Sequence, residues 1–183
     1  KGEWYEKHNA YMAYGPVLAR SLNSQWHPSS FSGIGLVQSC CDHKFNINAV
    51  FPTLQLQDGG SEWDFTRYVP DVVVVCLGQN DGQLDSAVFI NAYIEFVEYI
   101  RSKYSDAYIV CATSPMGDNS LTSYLTEKLS IVTEYFNSKA DLKVSKFVFS
   151  KSFTSGCDYH PSMSQHIEIA EELKQHVKQI TAW

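Results

Sequence analysis

Apolar residues along the chain follow two patterns, and the two alternate. Between positions 86 and 104, Phe89, Tyr93, Phe96, Val97, Ile100 and Tyr104 recur every three or four residues, the spacing of one helical face. Leu125, Leu129, Val132 and Phe136 repeat it over 121–137. Met163, Ile167, Ala170, Leu173, Val177 and Ile180 do so over 161–180, with Pro161 near the first turn, where proline is favoured. The other pattern is a short unbroken apolar run. Val72-Val73-Val74-Val75-Cys76-Leu77 is the clearest, followed by 107–112, which ends at Ser114-Pro115, and by 144–149. Runs apolar on both faces predict parallel strands covered by helices, with 72–77 a central one. Upstream, the pattern predicts a helix over 10–22, weakened by Gly15-Pro16, and a short strand over 26–31. Residues 36–63 are mixed, with turn signals at Asp58-Gly59-Gly60. This alternation predicts an α/β three-layer sandwich with a central parallel sheet. In such folds ligands bind at the carboxyl ends of the strands, so the loops there are where chemistry is sought.

Composition narrows the function classes. A chain of 183 residues with 44% hydrophobic and 19% charged residues has the make-up of one globular domain. Its net charge of -6, with no basic stripe, excludes a nucleic-acid partner. The run 72–77 is far too short for a membrane span, and no basic-then-apolar leader opens the sequence. Five cysteines cannot all pair within one chain. Cys76 and Cys111 lie in strand-like runs and read as buried hydrophobes. Cys40-Cys41 with His43 lacks the paired ligand spacing of a zinc site, so no metal is expected.

Three post-strand loops carry candidate chemistry. Gly78-Gln79-Asn80-Asp81-Gly82 follows the clearest strand. The Asn80 amide there could donate to a developing oxyanion, although Asn-Asp-Gly is also an ordinary turn sequence. Ser32-Gly33-Ile34-Gly35 follows the short early strand, and the Gly33 N–H is a natural second donor. Gly156-Cys157-Asp158-Tyr159-His160-Pro161 follows the third buried strand. His160 could act as a general base with the Asp158 carboxylate holding its other ring nitrogen. The alternative is that either residue caps the next helix.

Taken in order, these blocks resemble those of the SGNH (GDSL) hydrolases. More narrowly, the chain resembles the catalytic domain of carbohydrate esterase family 2. The likeness extends to Ala10-Tyr11-Met12-Ala13-Tyr14-Gly15, Phe31-Ser32-Gly33-Ile34-Gly35-Leu36, Trp63-Asp64-Phe65-Thr66-Arg67-Tyr68, Pro70-Asp71, Ser114-Pro115-Met116 and Trp183. The resemblance implies a flavodoxin-like SGNH fold and a secreted, extracellular serine esterase. It implies removal of acetyl groups from plant polysaccharides such as xylan or mannan, with no metal or organic cofactor. Gly33 and Asn80 would be the oxyanion donors, His160 the base and Asp158 its partner. Trp63 and Tyr159 would contact an acetylated polysaccharide or oligosaccharide. Trp26 and Met116 are further cleft candidates that core packing explains better.

The family's nucleophilic Ser lies in a Gly-Asp-Ser-like motif at the end of a first strand. No such strand or motif precedes the helix at Ala10, and the family's small β-sandwich domain is also missing from the sequence. The expectation is that 1–183 is an SGNH-type esterase domain whose first strand and Ser come from an upstream segment. Ser32 adjoins Gly33 but stands at the wrong place in the motif order to replace that Ser. The rival readings are a lipid esterase or thioesterase of the same fold, and a non-catalytic carbohydrate-binding domain.

Overall fold

The computed structural model describes Glu3 and residues 7–183. The expected lack of a strand ahead of Ala10 falls mostly outside these described residues. The chain divides into two compact units, Ser29–Val148, and Lys1–Pro28 with Phe149–Trp183.

The larger unit is built on a parallel sheet in the order β1-β2-β3, with β1 at Val72–Val75, β2 at Tyr108–Ala112 and β3 at Val144–Phe147. Val72 pairs with Tyr108, and Ile109 with Val144. The middle strand is therefore β2, whose Ile109, Val110, Cys111 and Ala112 are fully buried. The run at 72–77 was expected to be central. Among the described residues it is an edge strand four residues long, and Val72, Val73 and Val74 are only half-buried. Its outer edge has no strand partner there.

Two long helices connect the strands. Asp85 caps the first, Ser86–Lys103, by accepting the Ala87 and Val88 N–H groups, and the basic Arg101 and Lys103 close its last turn. Asp118 caps the second, Asn119–Ser138, through the Leu121 N–H. The anticipated stripes, Phe89 to Ile100 and Leu125 to Phe136, are buried in one core with Val75, Ile109 and Cys111. Burial in this core pushes the Cys111 thiol up to about 12. Arg101 locks the far end of this core. Its guanidinium pairs with both oxygens of Asp141 and donates to the carbonyls of Tyr104, Ser105 and Ala107.

The smaller unit packs the helix Tyr14–Ser21 against the C-terminal helix Met163–Thr181. The helix expected over 10–22 is split. A 3-10 turn at Ala10–Met12 is capped by Asn9, and Gly15-Pro16 falls inside the first turn of the α-helix, where a missing proline N–H costs nothing. No strand forms over 26–31. Pro161 precedes the C-terminal helix rather than lying in its first turn, because Ser162 and Gln165 form the capping box. On that helix Ile169, Ala170, Leu173 and Val177 are buried, whereas Met163 and Ile167 of the expected stripe are 58% and 50% exposed.

Candidate active site

In the larger unit the site is built on the loop that leaves β1. Gly78 has φ +111°, and a Cβ there would come within 2.6 Å of Leu125 Cδ2 and 3.2 Å of Phe89 Cζ. Glycine alone lets the chain turn out of the strand against both helices. Gln79 Oε1 accepts the Ser114 hydroxyl at 2.5 Å, and Ser114 Oγ accepts the Met116 N–H. The loops after β1 and β2 are thereby joined.

Asn80 and Asp81 reach back to the Ser32–Gln38 segment. Asn80 Nδ2 donates to the Ile34 carbonyl at 2.8 Å, which commits one of its two N–H bonds and leaves the other. The Asp81 carboxylate, on a residue only 2% exposed, accepts three backbone N–H groups. These come from Leu36 at 2.9 Å, Val37 at 2.7 Å and Gln38 at 3.1 Å. Three donors on one buried carboxylate hold the loop far more firmly than neutral contacts would. Gly33 stands at the head of this segment with φ +79°, and its N–H has no partner among the described residues. Gly33 and Asn80 thus lie on two loops that Asp81 and Asn80 clamp together. Asp81 as the clamp was missed, because its partners lie more than forty residues upstream.

The other candidates in this unit fall elsewhere. The Ser32 carbonyl meets His43 Nε2 at 3.2 Å. Trp63 is tied by its N–H to the Pro52 carbonyl, and its indole hydrogen-bonds Tyr104, which precedes β2. That places Trp63 at the amino-terminal end of the sheet, away from Gly33 and Asn80. Cys40 and Cys41 are joined by a disulfide, and no group of three or more His, Cys, Asp or Glu able to hold a metal ion occurs among the described residues.

In the smaller unit, Gly156–His160 is a closed loop. The Gly156 N–H donates to the His160 carbonyl at 2.7 Å, and the His160 N–H to the Cys157 carbonyl at 3.0 Å. Asp158 and Tyr159 both adopt left-handed backbone conformations, at φ 50° and 59°. This fold of the loop turns the Asp158 carbonyl, not its carboxylate, onto the imidazole. His160 Nδ1 lies 2.9 Å from that carbonyl oxygen. A carbonyl only accepts, so Nδ1 carries the proton and Nε2 keeps its lone pair. The carboxylate expected at that nitrogen is therefore replaced by main chain, and the Asp158 carboxylate is exposed with no described partner. Tyr159 is 83% exposed and Trp26 42% exposed, the latter against the expectation of core packing. Met116 is half-buried. His166, on the following helix, has a buried Nδ1 without a hydrogen bond. Burial, and then the nearby His160, hold its pKa below the ordinary imidazole value.

These elements define an α/β sandwich of the SGNH type, with Gly33 and Asn80 in loops of the larger unit and His160 before the last helix of the smaller one. No family model matches the chain. It is 35% identical to the cellulase/esterase CelE of Acetivibrio thermocellus over 96% of its length, spanning 22% of that protein. It is 30% identical to an acetylxylan esterase / glucomannan deacetylase of Cellvibrio japonicus, again over 96% of its length and spanning 50% of that protein. The structure superimposes with a TM-score of 0.91 on a family two carbohydrate esterase from Clostridium thermocellum solved in complex with cellohexaose. That match has 32% identity and covers 97% of this chain and 57% of the other. A GDSL-like protein from Bacteroides ovatus shares the fold alone, with a TM-score of 0.59 at 12% identity, over 93% of this chain and 80% of that one. The chain is homologous to the family 2 carbohydrate esterases, and it spans half or less of the length of these two curated relatives.

Proposed function

We propose that the chain is part of a serine esterase that removes O-acetyl groups from plant cell-wall polysaccharides. The observation that carries this is the Gly33 N–H and the second Asn80 N–H, both uncommitted among the described residues, on two loops joined by the buried Asp81. Fixed donors of this kind stabilise the oxyanion of a tetrahedral intermediate. His160, protonated on Nδ1, takes the proton of the attacking Ser through Nε2 and returns it to the departing sugar hydroxyl. Water then releases acetate from the acetyl-enzyme. Tyr159 offers an exposed ring for a sugar face. Xylan or glucomannan is the substrate class that the similar Cellvibrio protein suggests. A secreted location accords with polymeric substrates of that kind.

We propose also that an upstream segment supplies the nucleophilic Ser and a strand along β1. The Tyr108 N–H donates to the Asp71 carbonyl, so in a parallel ladder Asp71, Val73 and Val75 face β2 while Val72 and Val74 face outward. No described residue meets those outward groups. The test is acetate release from acetylated xylan and glucomannan by the protein with its upstream segment. Release expected from one or both supports the reading. Tight oligosaccharide binding with no acetate released would replace it with a non-catalytic carbohydrate-binding role, and cleavage confined to long acyl esters with a lipid esterase.

A further inference from the structure

The peptide group that carries the Gly33 N–H has Ser32 as its carbonyl side. His43 Nε2 sits 3.2 Å from that carbonyl oxygen, so Nε2 is the protonated nitrogen. The imidazole is packed between two rings. It meets Phe31 edge-on at 5.1 Å and stacks on Phe45 at 5.4 Å, and Phe31 and Phe45 are themselves 5.3 Å apart. On the other side of Gly33, its carbonyl accepts the Cys40 N–H at 2.9 Å. There is no slack between them. A Cβ on Gly33 would lie 2.7 Å from Cys40 Sγ and 3.3 Å from the His43 ring.

We infer that His43 is a positioning residue for the oxyanion hole. This rests on the esterase reading above. In a trans peptide the carbonyl and the N–H point in opposite directions. Holding the Ser32 oxygen from one side therefore aims the Gly33 N–H to the other. Gly33, at φ +79°, has no side chain to resist rotation of that peptide, so the restraint must come from outside. Donation into the Ser32 carbonyl also polarises the same amide and makes its N–H a better donor. Neither the Cys-His grouping nor the spacing of His43 reveals this, since the contact runs back eleven residues.

The test uses the protein with its upstream segment. The 15N spectrum of the wild-type imidazoles is expected to show His43 as the Nε2–H tautomer. His43→Phe keeps the ring between Phe31 and Phe45 but removes the donor. It is expected to lower kcat for an acetyl ester about tenfold, with KM within twofold and an unchanged unfolding midpoint. His43→Gln, which still offers an N–H, is expected to recover most of that loss. An unchanged kcat in His43→Phe, or a change confined to KM, overturns the assignment. If His43→Phe does not fold, the tautomer and the Gln variant decide. An Nδ1–H tautomer in an active enzyme defeats the role of His43 alone. A wild type that shows the Nε2–H tautomer but cleaves no ester defeats the esterase reading, and this role with it.

Discussion

Asp81 accepts the N–H of Val37 at 2.7 Å across forty-four positions of sequence, and it accepts the neighbouring Leu36 and Gln38 N–H groups as well. One side chain thus fixes the segment that presents Gly33, while its neighbour Asn80 bonds the Ile34 carbonyl between them. Asp81→Ala leaves three N–H groups in a poorly hydrated place. The expected cost is about 3 kcal/mol or more, read as a shift of the urea unfolding midpoint. A change below about 0.5 kcal/mol would mean that the loop is held by other contacts.

Gly78 is required by space as well as by backbone. Gly78→Ala forces a Cβ into Leu125 at φ +111°. Overpacking and a left-handed alanine together are expected to cost roughly 2–4 kcal/mol, visible as a lower melting temperature. A wild-type melting temperature would show that the two helices yield at that point.

His160 and Asp158 are predicted to behave very differently. Because the Asp158 carbonyl holds Nδ1, Asp158→Asn is expected to keep kcat within about threefold, whereas His160→Ala loses at least a hundredfold. Where a carboxylate truly orients the base, its amide costs about 10⁴ in kcat. A loss of that size in Asp158→Asn would show that the side chain, not the main chain, carries the role.

His166 makes stability depend on pH. Burial, then the charge of His160, lower its folded pKa from the reference value of 6.5. Below that value the unfolded chain binds a proton that the folded chain refuses. Stability from this group is therefore complete above pH 6.5 and is lost as pH falls through the depressed folded pKa. His176 is lowered by burial in the same direction. His166→Phe preserves the stacking on Tyr14 and removes the buried unbonded Nδ1. Its urea midpoint is expected to fall less than that of wild type between pH 7 and pH 5, a range set by the ordinary imidazole pKa. Parallel curves would assign the acid loss to other groups.

The two helices between strands were legible because Phe89 to Ile100 and Leu125 to Phe136 each repeat over several turns. The position of β1 was not. A run of four valines reads as buried on both faces, but whether a strand lies at an edge depends on what pairs with it. The stretch 26–31 has no strand beside it among the described residues, so it stays irregular. Gly33, Asn80 and His160 could be named from local motifs. The contacts of Asp81 with 36–38 and of His43 with Ser32 exist only in the folded loops. At Asp158 two left-handed residues, which sequence does not announce, put its carbonyl rather than its carboxylate against the His160 ring.

The central claim is that this chain serves a serine nucleophile. The most direct measurement is fluorophosphonate labelling of the purified protein with its upstream segment, followed by mapping of the modified peptide. One labelled Ser in a peptide outside the 183 residues is expected, with labelling lost in His160→Ala. Folded protein that binds oligosaccharide yet takes no label would contradict it.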